Sequence, residues 1–270
     1  MHYDSVVTGA FLARPNRFIA HVELGGQTVS CHVKNTGRCR ELLIPGVKVL
    51  LEYHRDAKDK GRKTAYSLIG VWKIRDGRSP LLINMDSQAP NQAAWEWVCS
   101  QGLERLASGE EKLLAPGRPF HAAHVRREVT YGQSRFDLAF LLDGQPAFME
   151  VKGVTLEQDG LAMFPDAPTE RGVRHLRELA KAAREGIPCF ILFVIQMKEI
   201  SCFAPNRQTH PAFADALTAA ADAGVTVLAM DCRVTKDSME IDASVPVGLG
   251  QTGSRRLCTK VSCPAYHISN

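Results

Sequence analysis

The sequence predicts a two-part α/β chain, a small β-barrel followed by a mixed sheet with helices on both faces. Three observations predict it. Short strands at even spacing, without a helical period, fill the first 84 residues. The remainder runs helix, three strands, helix, strand, helix, strand, an order that covers both faces of a sheet. Finally, Asp143-Gly144 lies between two apolar runs, the strongest short-range sign of a two-residue hairpin.

In the first part, strands are expected at Val6–Ala13, Phe18–Leu24, Thr28–Val33, Val47–Tyr53, Ala65–Ile74 and Leu81–Asn84. Pro15-Asn16, Gly25-Gly26, Pro45-Gly46 and the charged loop near Lys60 interrupt them. That pattern suits an OB-like barrel over residues 1–86. A boundary near Ser87–Pro90 then opens an α/β domain over 87–249. Its first helix, Pro90–Ala107, places Trp95, Val98, Leu103 and Leu106 at helical spacing, with Asn91 as a cap. His124–Tyr131 alternates like a strand. The second helix, Thr169–Glu185, turns Val173, Leu176, Leu179 and Ala183 inward and stops at Gly186, with Pro188 beyond. Cys189–Ile195 is a continuous apolar run, as in a buried parallel strand. A helix over Pro211–Ala223 and a strand over Val225–Met230 complete the unit.

The hairpin carries the chemistry. With Asp143-Gly144 at its tip, facing residues keep a constant index sum, which sets Asp137 opposite Glu150 and Arg135 opposite Lys152. Alternation puts Glu150 and Lys152 on one face, and Asp137 joins them. Two carboxylates about 5 Å apart repel by about 3 kcal/mol at an effective dielectric near 20. A divalent cation between them reverses that sign. Mg²⁺ (or Mn²⁺) takes one or two carboxylates plus water and phosphate oxygens, the composition of a phosphodiester-cleaving site. Lys152 would orient a water or stabilise a pentavalent phosphate. The bland alternative stays open: both acids are solvated on an open face, or pair with Arg135 and Lys152.

The element order, with an acid and an E-x-K on adjacent central strands, resembles the restriction-endonuclease-like PD-(D/E)xK core. SRFDLAF, MEVKGVTL, FPDAPTERGVRHLREL and LFVIQM, with NTGR at 35–38, resemble the sugar fermentation stimulation protein (SfsA) family from about Ser5 to Leu249. The resemblance implies a DNA-binding protein with a nuclease-like fold, tied to regulation of sugar (maltose) use. It maps the acid and E-x-K positions onto Asp137, Glu150 and Lys152. A first-helix acid often completes such sites by family analogy, and Glu96 is the choice here, with Glu128 as alternative. His32-Val33-Lys34-Asn35 departs from the family, which more often shows Cys-Pro before the Asn. Two functional readings remain: a Mg²⁺-dependent nuclease fed by the barrel, or a catalytically silent DNA-binding regulator.

On the second helix, Arg171 and His175 sit one turn apart, placed to hold a scissile phosphate or orient a water. Equally, Arg171–His175 and Arg174–Glu178 are surface pairs of small energy. Asp166 and Thr169 read as caps or ligands. The net charge of +4 argues weakly for nucleic acid, but its distribution says more. Arg55, Lys58, Lys60, Arg62 and Lys63 crowd one loop, and Lys34, Arg38 and Arg40 follow the third strand. These segments would track phosphates with little sequence preference, unless they are merely solvated. Eight scattered cysteines without C-x-x-C pairs, no leader and no span-length apolar run suit a cytoplasmic protein without membrane contact. Residues 250–270, rich in Gly and Ser, are expected to be a flexible tail. Cys258, Cys263 and His267 there offer only three of the four ligands of a closed zinc site.

Overall fold

In the computed structural model, residues 1–35, 37, 39–57, 59–100, 103–104 and 121–250 are described. Cys258, Cys263 and His267, the expected tail beyond Gly250, and the end of the first helix around Leu106 lie outside them.

Six strands form the first sheet: β1 (Val6–Ala13), β2 (Ile19–Leu24), β3 (Gln27–Val33), β4 (Lys48–Tyr53), β5 (Tyr66–Lys73) and β6 (Leu81–Asn84). They run in the order β3-β2-β1-β4-β5-β6, and a parallel β3–β5 pairing closes five of them into a barrel. This is an OB domain, as the strand spacing suggests. Apolar alternation fills its interior with Val22, Cys31, Val49, Leu51, Leu68 and Val71, all fully buried.

The second domain opens with α1 (Ala89–Cys99) and continues through β7 (Ala122–Tyr131), β8 (Ser134–Leu142) and β9 (Gln145–Val154). Two short strands follow, β10 (Leu156–Gln158) and β11 (Leu161–Phe164). Then come α2 (Glu170–Arg184), β12 (Cys189–Ile195), β13 (Cys202–Pro205), α3 (Pro211–Asp222), β14 (Thr226–Val234) and β15 (Met239–Ser244). The main sheet has the order β15-β14-β12-β9-β8-β7, with β9, β12 and β14 parallel. Every residue of β12 is buried, because helices cover both of its faces. Leu138, Phe140, Met149, Val151 and Leu192 pack under α1, whereas Phe148, Ile191 and Phe193 join Leu176, Leu179 and Phe213 of α2 and α3. The hairpin turn behaves as its sequence requires: Asp143 and Gly144 have φ of 50° and 84°, the left-handed pair of a two-residue connection.

The three-stranded sheet β10-β11-β13 and the edge strand β15 were not expected. Strands of three or four residues carry too little alternation to stand out from loop, and they exist because neighbouring segments pair with them. The chain start also differs. Its first two residues lie against the second domain, His2 bridging Ser238 and the Met1 ammonium meeting the Glu96 carboxylate at 2.6 Å, while Tyr3 packs with Leu50 and Ile69 of the barrel. Among the described residues, no helix is long and apolar enough to cross a membrane.

Polar contacts weld the domains together. Lys73 of β5 donates to both the backbone carbonyl and the carboxylate of Glu157 in β10. Arg75 grips Glu199 with two bonds, and Gln196 Nε2 donates to the Asn84 carbonyl at 3.0 Å. Gly153 sits where a Cβ would meet Pro90 Cγ and Gln196 Oε1, each at 2.6 Å, so the start of α1 can press against β9. Glu157 is almost wholly buried, so Lys73→Ala would strand its charge. A loss of about 3 kcal/mol in unfolding free energy is expected by urea titration.

Candidate active site

β9 delivers Glu150 and Lys152 to the face covered by α2. Glu150 is 2% exposed, and its Oε1 accepts from both Lys152 Nζ and His175 Nδ1, the latter at 2.5 Å. His175 reaches it because Thr169 caps α2, its hydroxyl accepting from the Gly172 amide at 3.1 Å. One turn before His175, Arg171 Nε donates to His175 Nε2 at 3.3 Å. That bond makes Nε2 the acceptor, so the imidazole proton belongs on Nδ1, facing Glu150. Burial alone would raise the Glu150 carboxyl, but the His175 hydrogen bond and the Lys152 charge outweigh it and hold it below the usual range. Its second oxygen, Oε2, is buried and has no hydrogen-bond partner.

Asp137 comes from β8 and completes the pair of acids. The β8–β9 ladder keeps the expected register from Leu142↔Gln145 to Leu138↔Met149, then ends. Beyond it, the Val151 amide donates to Asp137 Oδ2 at 2.8 Å, so the side chain replaces a ladder bond. Asn91 Nδ2 donates to Asp137 Oδ1, also at 2.8 Å. Alternation reverses at the same point. Phe136 packs at a tilt against Phe148 and edge-on to His175 on the α2 side, whereas Leu138 lies under α1. Burial, and then the negative charge of Glu150, raise the Asp137 carboxyl. The two acids are thus electrostatic neighbours on one open cleft of about 370 Å³, shared with Asn91, Glu128, Arg135, Lys152 and Arg171.

Several expectations need correction. Asn91 does not cap α1, whose N-terminus lacks a side-chain cap; it orients Asp137 instead. Glu96 does not reach the cleft. It lies about 140° around the helix from Asn91, and pairs with the N-terminus and with Gln92. Glu128, the alternative, does line the cleft, 3.5 Å from Arg135. Arg135 pairs with Thr130 of β7 and not across the ladder with Lys152. His175 is buried, which excludes a surface pair with Arg171. Asp166 is exposed and borders a small cavity between the domains with Asn35 and Gly37.

The basic residues of the barrel divide sharply. Lys34 is held between Glu52 and Asp86, each at 3.0 Å, and is neutralised there. Lys60 pairs with Asp56, and Arg62 donates to Ser67. Arg40, Arg55 and Lys63 are exposed, with no side-chain partner among the described residues. Arg38 and Lys58 lie outside those residues.

A cation here would meet Asp137 and Glu150. Among the described residues, no group of three His, Cys, Asp or Glu side chains is arranged to hold one. Two carboxylates with remaining positions for water or phosphate suit a hard ion such as Mg²⁺.

Comparison with known proteins agrees with this architecture. Residues 12–78 match the family model described as the SfsA N-terminal OB domain, and residues 88–238 match the sugar fermentation stimulation protein RE domain. The chain is 49% identical over 249 residues to the sugar fermentation stimulation protein homolog of Desulfitobacterium hafniense (strain Y51), covering 92% of this chain and 99% of the relative. It is also 49% identical over 251 residues to the homolog of Alkaliphilus oremlandii, covering 92% and 98%. The solved structure of Pyrococcus furiosus SfsA in complex with Ca²⁺ aligns with a TM-score of 0.74 at 26% identity, covering 92% of this chain and 98% of that one.

The Glu150 contacts set a pH dependence. A carboxyl held below its ordinary pKa stabilises the fold above the unfolded value, and that contribution is lost as pH falls through the folded one. Asp137, raised, acts oppositely: its ionisation opposes folding, and the penalty fades as pH falls. Glu150→Gln should therefore cost about 2 kcal/mol at neutral pH without divalent ions. The deficit should shrink on acidification below the ordinary glutamate range, as thermal melts across pH will show.

Proposed function

The chain belongs to the sugar fermentation stimulation protein family, and from that premise we propose that it binds DNA and cleaves phosphodiester bonds at Asp137, Glu150 and Lys152. One observation carries the proposal: a buried carboxylate oxygen, Glu150 Oε2, stands without a partner in the cleft that Asp137 also lines. Buried acceptors are rarely left unpaired, and a hard divalent cation is the partner that also relieves the repulsion between two acids. The Pyrococcus furiosus relative was solved with Ca²⁺, a cation that takes oxygen ligands. When bound, such an ion would supply charge stabilisation at the phosphate and a more acidic water.

The residues around it have separable tasks. Asn91 and the Val151 amide fix Asp137, while His175 fixes Glu150 from the opposite side. Lys152 Nζ rests on Glu150 Oε1 at the cleft. From there it would orient the attacking water or donate to a non-bridging phosphate oxygen. Arg171, exposed at the cleft, would pair with the phosphate in the manner of a guanidinium clamp. Such a substrate would be met in the cytoplasm, the compartment that fits this reading. The link to sugar use follows from the family alone.

A second reading, a catalytically silent regulator, is favoured by one feature: Glu150 Oε1 is already satisfied by Lys152 and His175. Incubation of the purified protein with single- and double-stranded DNA and RNA in Mg²⁺ or Mn²⁺ separates the two. Cleavage is expected, abolished by Asp137→Ala or Glu150→Ala and slowed about a hundredfold by Lys152→Ala. Calorimetry should show Mn²⁺ binding to the parent and none to either acid variant. Nucleic-acid binding without cleavage would establish the silent regulator.

A further inference from the structure

We infer that the outer face of α2 is a track for the phosphate backbone of the nucleic acid entering the cleft, an inference that rests on the DNA reading above. Arg174, Arg177, Lys181 and Arg184 are all exposed on this helix. Their spacing of three, four and three residues keeps them within an arc of about 80° and spreads them over about 15 Å. None makes an ion pair or a side-chain hydrogen bond among the described residues. Arg40, Arg55 and Lys63 of the barrel are likewise unpaired but form no helical row, whereas Lys60, Lys198, Arg207 and Arg233 each answer a carboxylate.

Charge complementarity and continuity point to the occupant. One phosphate per about 3.4 Å of strand axis gives roughly four charges along the row. The row leads, one turn toward the helix N-terminus, to Arg171, which lines the cleft beside Lys152. Beside it, a groove of about 400 Å³ runs between α2 and α3, floored by Ala180, Ala216 and Ala219 and edged by Arg177 and Arg184. Small side chains there let a backbone approach closely. The acids nearby are otherwise engaged or stand aside. Asp215 pairs with Arg207, Glu185 accepts from Tyr131, Glu170 meets His210, and half-buried Glu178 lies toward Gly132. The opposite face of α2 is committed to the core through Val173, Leu176, Leu179 and Ala182. It therefore has no apolar side to insert into a bilayer, which disfavours a membrane surface.

The test measures binding of a short fluorescent DNA duplex, and of its single strand, against salt between about 50 and 200 mM. Arg177→Gln, Lys181→Gln and Arg184→Gln together should make the log–log slope shallower by about 3, and Lys181→Gln alone by about 1, with melting temperature unchanged. Gln keeps the helix and the side-chain stem, and the single variant guards against failure of the triple to fold. Arg40→Gln, Arg55→Gln and Lys63→Gln together remove the same charge from the barrel and should change the slope less. An equal or larger effect from the barrel, or an unchanged slope in the α2 triple, overturns the track while the DNA reading stands. So does loss of binding to phosphatidylserine vesicles with DNA binding intact. No binding of DNA by the parent protein removes the DNA reading as well.

Discussion

The buried carboxylate of Glu150 is the constraint around which the second domain is arranged. A charge at that depth is tolerable only when paired and hydrogen-bonded, since each lost partner exposes a desolvation cost of several kcal/mol. One near neighbour and one element remote in sequence meet this need. β9 supplies Lys152 from the same strand, and α2 supplies His175 from one turn above Arg171. The position of α2 over the sheet, and its capped start at Thr169, follow from that requirement as much as from the apolar stripe it buries. The imidazole is oriented in turn by Arg171, so a surface guanidinium reaches the buried acid through one ring.

Asp137 shows how strain against a neighbouring charge is accommodated. Its carboxyl is raised by burial and by Glu150, yet both of its oxygens accept hydrogen bonds. One donor is a backbone amide that an intact ladder would have used. The sheet therefore opens at the position where the acids come together, exchanging one strand–strand bond for a fixed carboxylate. The unpaired Glu150 Oε2 is the remaining imbalance, and a shared cation would correct both the orphan oxygen and the repulsion. The barrel is not a freely swinging module beside this site. Lys73–Glu157, Arg75–Glu199 and the Asn84–Gln196 contacts bind it to the small sheet and to the end of β12. Whatever the barrel holds stands at a set distance from the cleft.

Much of this was legible from local pattern. The barrel strands, the Asp143-Gly144 turn, the ladder register and the buried run at Cys189–Ile195 follow from alternation and turn chemistry, which act between near neighbours. So does the pairing of Glu150 and Lys152 on one face. Asn91 was visible as a polar residue near a helix start, but its partner lies 46 positions away, and the capping pattern gave the wrong role. Glu96 failed for a related reason: helical phase turns it toward the chain terminus. Lys34 looked like a free cation because Glu52 and Asp86 approach it only in three dimensions.

By itself, then, the amino-acid order determined which segments become strands and helices, the register of the central hairpin, and that two acids and a lysine share a region. Those are consequences of backbone geometry with periods of two and 3.6 residues. Only the tertiary structure decided that His175 locks Glu150, that the ladder opens at Asp137, and which cations remain unpaired. Burial and long-range charge pairing depend on what packs alongside, and no local period encodes that.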